Sequence, residues 1–299
     1  MYCSRYWKLL QITMPRWPFP PGLLKCNRQT CKPVKIPATG RAKRRGALRV
    51  LAIIGGSGWS DTTLFKPQAR REFLSRYGNC SAPVQFGHLQ RGNRQSDELC
   101  YLPRHGAGHR LPPHKINYRA NVDALAQAGA SSVIALNAVG VCHTRWLPGE
   151  LVLPDQVIDY SWGREHSFVD ALEDFSAHID FTEPLQSEWR ARLLAAATRA
   201  GTTLHEGGTY ACMQGPRFET AAEVRKLRRD GCDLVGMTLM PEASLCRERG
   251  IDYLSICLIV NPAAGVGDAS LSLPGIRAAL ERATEAVRQL LAEALLLPG

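Results

Sequence analysis

The chain has 299 residues, 45% of them hydrophobic, enough apolar material to core one large domain or two small ones. Its formal net charge of +10 is unevenly spread: residues 1–49 hold twelve Lys/Arg and no Asp or Glu, so the other 250 residues carry 25 basic against 27 acidic groups. A body with a net charge of −2 excludes a broad basic face for nucleic acid.

The first 48 residues form a basic extension, Pro-rich at PRWPFPPG (15–22) and without helical or strand period, which reads as disordered. Three readings of it stand open. It is a start-site artefact, with Val50 or Leu51 as the native first residue; an Arg-rich targeting peptide; or a polyanion-binding arm. No apolar run reaches 18 residues, so no membrane span is expected. The ten cysteines form no CxxC pair and no zinc spacing, which suits free thiols in a reducing, cytoplasmic compartment.

From residue 49 strands and helices alternate. RVLAII (49–54) is a buried strand running into GGSG (55–58). DELCYLPRH (97–105) is a strand ending in Arg104-His105. INYRANVDALAQAG (116–129) is a helix stopped by Gly129. SSVIALN (131–137) is a strand that ends before AVG, and GELVLPDQVIDY (149–160) is extended. EPLQSEWRARLLAAATRAG (183–201) is an amphipathic helix with a glycine stop, and GGTYACMQG (207–215) is extended. TAAEVRKLRRDG (220–231) is a helix whose Thr220 and Glu223 have capping-box spacing. CDLVGM (232–237) is a strand, PEASLCRERG (241–250) a helix opened by Pro241, and IDYLSICLIV (251–260) a strand. A long helix, 274–297, closes the chain. The alternation predicts an α/β fold over 49–299: a single domain with a central mixed, mostly parallel sheet flanked by helices. In such sheets ligands sit at the carboxyl ends of strands.

Those ends are where polar residues and glycines gather. GGSG lets backbone N–H groups approach an anion, with Ser57 adding a hydroxyl, although a tight turn without ligand explains it equally well. Neither GxGxxG nor a P-loop lysine follows. Arg104 offers a planar fork of donors and His105 one more; a surface arginine beside a packed histidine is the plainer alternative. His114 and Lys115 are weaker candidates. Asn137 and Ala138 precede Val139-Gly140, where backbone donors could be exposed. Thr238 is either a hydroxyl donor or a helix cap. Glu219, beside Phe218, has no capping duty. Asn261 is a donor and acceptor at a strand end, or a turn residue before Pro262. No Ser-His-Asp order, nucleophile elbow or metal motif is present. A phosphate-sized set of donors beside a carboxylate and an amide suits an anion next to a heterocycle.

Together GGSG, RHG with HKINYRAN, NAVG, GELVLPDQ, QGPRFET and GCDLVGMT with MPEA and LCRE resemble the trimeric purine nucleoside phosphorylase and methylthioadenosine phosphorylase family, over about residues 50–297. The resemblance implies phosphorolysis of a purine nucleoside to the free base and a pentose 1-phosphate, with inorganic phosphate as co-substrate and no other cofactor. It implies phosphate among Ser57, Arg104, His105, Ala138 and Thr238, with Met237 under the ribose and Asn137 nearby. It also implies small-molecule partners without membrane or nucleic acid, and a homotrimer in which a residue near SFVDALEDF (167–175), such as Phe168, closes a neighbour's site.

Branches that take 6-aminopurines carry an Asp at the position of Asn261 and another two residues on, where this chain has Ala263. Asn261 and Glu219 match the 6-oxopurine branch instead, with Glu219 accepting the base N1–H and Phe218 packing on the ring. The residue near the 5′ group aligns with Leu273 rather than a histidine, which suits a methylthio substituent. The expected substrate is therefore S-methyl-5′-thioinosine, with inosine or guanosine, and then methylthioadenosine, as alternatives.

Overall fold

The computed structural model describes residues 50–57, 59, 65–170, 178–267 and 272–296. The basic extension lies outside them.

The first strand, β1 (Val50–Gly55), is followed by β2 (Phe65–Arg71), β3 (Val84–Arg91), the short β4 (Arg94–Gln95) and β5 (Leu99–Pro103). Helix α1 (Tyr118–Gln127) leads into β6 (Ala130–Val141), β7 (Leu151–Leu153) and β8 (Gln156–Asp159). Then come α2 (Trp189–Ala200), β9 (Leu204–Glu206), β10 (Thr209–Cys212) and α3 (Ala221–Arg229). The chain continues through β11 (Leu234–Gly236), α4 (Glu242–Glu248), β12 (Asp252–Pro262) and α5 (Leu273–Leu295).

The described strands form one connected mixed sheet. Its centre is parallel, with β1 between β5 and β6 and β12 on the other side of β6. The β2–β3–β5 edge is antiparallel. Both faces of the central strands are covered, as their near-continuous apolar runs require. Side chains alternate: Ala52 and Ile54 of β1 pack with Val122 and Leu125 of α1 and Leu245 of α4. Leu51 and Ile53 point the other way, to Leu193 of α2 and Val287 and Leu290 of α5. Along β12, Tyr253, Cys257 and Ile259 join the first layer and Leu254, Ile256 and Leu258 the second. Each fully buried Leu or Ile contributes about 1.5–3 kcal/mol.

Two sequence expectations are corrected. The strand over 131–137 does not stop before AVG; β6 runs to Val141 because β12 pairs with it out to Pro262, past an irregularity between Ile259 and Asn261. The helix expected from 183 begins at Trp189. Ser187 Oγ accepts the Trp189 N–H and Arg247 donates to the Glu183 carbonyl, so the preceding residues are held in a non-helical path. The capping box of α3 is present as expected: Thr220 Oγ1 accepts the Glu223 N–H at 3.1 Å and Glu223 accepts the Thr220 N–H at 2.7 Å. The polar, proline-bearing β2 was not legible, because an exposed edge imposes little apolar alternation, and β3, paired with both β2 and β5, is interrupted by Gly87. No described helix is long and apolar enough to cross a membrane.

The topology gathers the strand ends. Gly55 pairs with Pro103, and Arg104 N donates to the Gly55 carbonyl, so Gly56-Ser57 and Arg104-His105 leave the sheet together. The far ends of β6 and β12 run beside each other.

Candidate active site

A cavity of about 600 Å³ opens where these ends meet. Ser57, Arg104, His105, Ala138 and Thr238 line it, together with Phe218, Glu219, Met237 and Asn261. These residues come from six separate stretches of sequence, which the sheet brings into one space.

Arg104 is fully buried. Its Nε and Nη2 donate to the two carboxylate oxygens of Glu242, each at 2.7 Å, and Nη1 donates to the Leu136 carbonyl at 2.9 Å. Tyr253 OH donates to the same carboxylate at 2.9 Å. Burial alone would lower the guanidinium pKa, but the adjacent Glu242 charge and its hydrogen bonds raise it. The expectation of a free arginine fork is thus corrected: the fork grips Glu242, and the two remaining N–H groups, one on each Nη, are what Arg104 has left for a ligand. A Cβ at Gly56 would strike the Leu136 carbonyl and press on Arg104, so this bend requires glycine.

His105 and His109 stack with ring centroids 4.0 Å apart. His105 Nδ1 lies 2.7 Å from the Leu111 carbonyl, and His109 Nε2 is 3.5 Å from Ser57 Oγ. Burial first, then Arg104, pushes His105 down to about 4 and lowers His109 as well. His109 holds φ of 55°, the one non-glycine residue with positive φ among those described, a conformation rarely kept without local constraint.

Asn137 was expected at the ligand; it is buried and does not line the cavity. Its Nδ2 donates to Thr238 Oγ1 and its Oδ1 accepts from Ser255 Oγ, both at 2.8 Å. Being in the middle of β6 rather than at its end, Asn137 sits in the sheet's packing and orients Thr238. Ala138 reaches the cavity.

Glu219 precedes the capped end of α3, with Thr220 and Glu223 occupied by the cap. Arg217 pairs with Glu223, holding that carboxyl down to about 2. Glu219 takes no such partner in its side chain; burial raises its pKa. Phe218 beside it is half exposed. The loop before them is anchored by Arg164, which donates to the carbonyls of Met213, Gln214, Met237 and Met240 at 2.6–3.1 Å. Asn261 is buried within β12, not a turn residue; its Nδ2 donates to the Pro262 carbonyl at 2.7 Å. A Cβ on Gly140 would sit 3.3 Å from that nitrogen, so the glycine leaves the amide its room.

Two further expectations are corrected. Leu273 is the first residue of α5, 65% exposed, and stands outside the cavity; one and two turns on, Ile276 and Leu280 line it. Phe168 is buried within its own chain, with the Arg249 guanidinium 4.0 Å above the ring and Tyr77 against it. Residues 171–177 of the same stretch lie outside the described residues. His114 and Lys115 complete a short turn that starts at Pro113; Pro113 lines the cavity, and neither of these two does.

Sequence reasoning missed Glu242, Tyr253, His109 and Arg164. Glu242 follows Pro241 and looked like an ordinary acid in a helix's first turn; only its tertiary partner reveals it. Among the described residues no group of three or more His, Cys, Asp or Glu could hold a metal ion.

The family model described as the phosphorylase superfamily matches residues 50–296. The probable S-methyl-5′-thioinosine phosphorylase of Xanthomonas campestris pv. campestris is 43% identical over 244 residues, covering 81% of this chain and 96% of that protein. The 6-oxopurine nucleoside phosphorylase of Pyrococcus furiosus is 40% identical over 252 residues, covering 82% of this chain and 91% of that one. Methylthioadenosine phosphorylase from Schistosoma mansoni in complex with adenine superposes with a TM-score of 0.74 at 31% identity, covering 83% of this chain and 91% of its own.

Proposed function

The chain belongs to the phosphorylase superfamily, and from that premise we propose that it cleaves S-methyl-5′-thioinosine with inorganic phosphate to hypoxanthine and 5-methylthioribose 1-phosphate. The observation that carries this reading is that Glu219 and Asn261 share one cavity with Ser57, Arg104, His105 and Thr238. Phosphate is the only co-substrate in this scheme, without a further cofactor.

In this reading Ser57, Thr238, the Ala138 backbone and the remaining N–H groups of Arg104 hold phosphate below the sugar. Thr238 Oγ1 already accepts from Asn137, so its own proton is available to an anion oxygen. The phosphate is nucleophile and electrostatic stabiliser of an oxocarbenium-like sugar, with Met237 against the ribose. Glu219 accepts the base N1–H. Asn261 has one amide proton on Pro262, which leaves its second proton to donate to O6 or N7 as the purine departs with added electron density. Ile276 and Leu280, in place of Leu273, supply the apolar contact for the methylthio group.

A specific observation favours a second reading. With Leu273 outside the cavity, the 5′ preference rests on two side chains of α5, and a relative at 40% identity is a 6-oxopurine nucleoside phosphorylase. Inosine or guanosine is then the substrate. Phosphate-dependent cleavage of methylthioinosine, inosine and methylthioadenosine in parallel decides: a lead for methylthioadenosine would refute the base assignment, and a lead for inosine the 5′ assignment.

We further propose a homotrimer in a reducing, cytoplasmic compartment. Half-exposed Phe218 at the cavity and unpaired cysteines among the described residues support this. Light scattering at micromolar concentration measures the first; a monomer would refute it.

A further inference from the structure

Arg164 stands outside the cavity lining, half-buried in the stretch that leaves β8. All its N–H donors are engaged. Nε donates to Gln214 Oε1 at 3.1 Å, and Nη1 to the carbonyls of Met237 and Met240 at 2.9 and 2.6 Å. Nη2 donates to the carbonyls of Met213 and Gln214 at 3.1 and 2.9 Å. The Tyr118 ring adds a cation–π contact at 5.6 Å. Each of these acceptors is neutral, so the guanidinium holds oriented carbonyl dipoles through charge-assisted hydrogen bonds.

The four carbonyls belong to two segments that meet on the cavity wall. Met213 and Gln214 lead through Gly215 into Pro216, Phe218 and Glu219, which line the cavity, as does Met237 after β11. The segments touch there: a Cβ on Gly215 would come 2.5 Å from Met237 Sδ. Regular pairing of β10 with β11 ends at Cys212 and Gly236, followed by a Met213 N–H to Gly236 carbonyl bond of 2.7 Å. Beyond that point Arg164 spans the seam. A peptide plane whose oxygen is fixed on a cation cannot swing, so the flanking residues are fixed with it. The approach of Arg164 is held as well. Tyr160 N–H donates to the Cys212 carbonyl at 2.9 Å and Trp162 N–H to Gln214 Oε1 at 3.2 Å.

We infer that Arg164 is a positioning residue for the nucleoside: it clamps the Glu219 segment to Met237, so that base and sugar are gripped as one unit, and touches neither. This rests on the roles proposed above for Glu219 and Met237. Loss of the clamp should open the seam and weaken nucleoside binding. Phosphate binding should change little, because Arg104 is held by Glu242 and Thr238 by Asn137.

Arg164→Ala in the full chain leaves a guanidinium-shaped space rimmed by carbonyl oxygens, and free guanidinium chloride is the probe. Steady-state kinetics would use phosphate and whichever oxopurine nucleoside the unaltered chain cleaves best. The nucleoside KM should rise about tenfold or more while the phosphate KM stays within about twofold. Guanidinium at millimolar concentration, far below denaturing levels, should restore the nucleoside KM saturably, and potassium chloride at equal ionic strength should not. Arg164→Lys keeps the charge with fewer donors and no planar fork; it should raise the nucleoside KM about threefold, again without moving the phosphate KM. Should Arg164→Ala not fold, Arg164→Lys carries the test. Equal rises in both KM values, absence of rescue in Arg164→Ala, or an unchanged nucleoside KM overturns the inference and leaves the base and sugar contacts standing. No phosphorolysis of any purine nucleoside by the unaltered chain overturns both.

Discussion

Arg104 and Glu242 meet out of reach of solvent through two parallel hydrogen bonds of 2.7 Å, Nε to Oε2 and Nη2 to Oε1. The pair joins the end of β5 to the first residue of α4, 138 positions further along the chain. It converts a flexible side chain into a fixed wall of the cavity.

Breaking that pair from one side should be severe. Glu242→Gln leaves the guanidinium charge buried without its counter-charge, at about 3–5 kcal/mol. Tyr253→Phe removes one hydrogen bond to Glu242 and should cost about 1 kcal/mol. Urea unfolding midpoints measure both. If the pair positions Arg104 for phosphate, Tyr253→Phe should also raise KM for phosphate more than KM for the nucleoside; equal changes would mean a purely structural role.

Glu219 should make activity sensitive to mild acid. Its pKa is raised, burial being the main cause, so it takes up a proton at higher pH than an ordinary carboxyl and then cannot accept N1–H. kcat/KM for an oxopurine nucleoside should fall on the acid side above the usual glutamate range. The folding consequence has the opposite sign. A raised native pKa favours the native state below the unfolded pKa, and this contribution is lost as pH rises through the native value. Glu219→Gln should therefore be at least as stable as the parent at neutral pH while losing turnover; marked destabilisation there would refute a desolvated carboxylate.

Asn261→Asp removes the donor to Pro262 O in a buried position and places a carboxylate beside that carbonyl. Turnover of hypoxanthine nucleosides relative to adenine nucleosides should drop on the order of ten- to hundredfold, the scale of a mispaired contact worth about 1–3 kcal/mol. Parallel kinetics on the two bases would read it, and an unchanged ratio would remove Asn261 from base recognition.

On α5 the outward and inward positions separate cleanly. Leu273→His, at an exposed site, should leave the ratio of methylthioinosine to inosine turnover within a factor of about two, since surface changes stay within about 0.5 kcal/mol. Leu280→Asn, which lines the cavity, should lower that ratio about tenfold or more through loss of apolar contact. The reverse ranking would restore Leu273 to the site.

The strands and helices of the core were legible because both faces of β1 and β12 are buried, which demands unbroken apolar runs. Caps were legible because Thr220 and Glu223 act locally. That Ser57, Arg104, His105, Ala138 and Thr238 line one cavity was legible from strand ends. What escaped depends on partners distant in sequence. Glu242 draws its meaning from Arg104, Asn137 from Thr238 and Ser255, and Arg164 from four carbonyls on two other segments. The misplacement of Leu273 has another cause: it shares a helical stripe with Ile276 and Leu280, so only the depth of the cavity along α5 tells them apart.

The continuation of β6 and β12 beyond their neighbours gives the cavity a floor made of the two longest strands of the sheet. Amides at Ala138–Gly140 should thus exchange with solvent on the timescale of whole-chain unfolding, while those of the 104–115 and 213–219 segments exchange far sooner. Substrate contacts can therefore diversify along that rim without touching the centre of the molecule, whereas on the floor itself the room for change narrows to side-chain exchanges at the strand ends, such as Asn261, that leave the pairing of β6 and β12 intact.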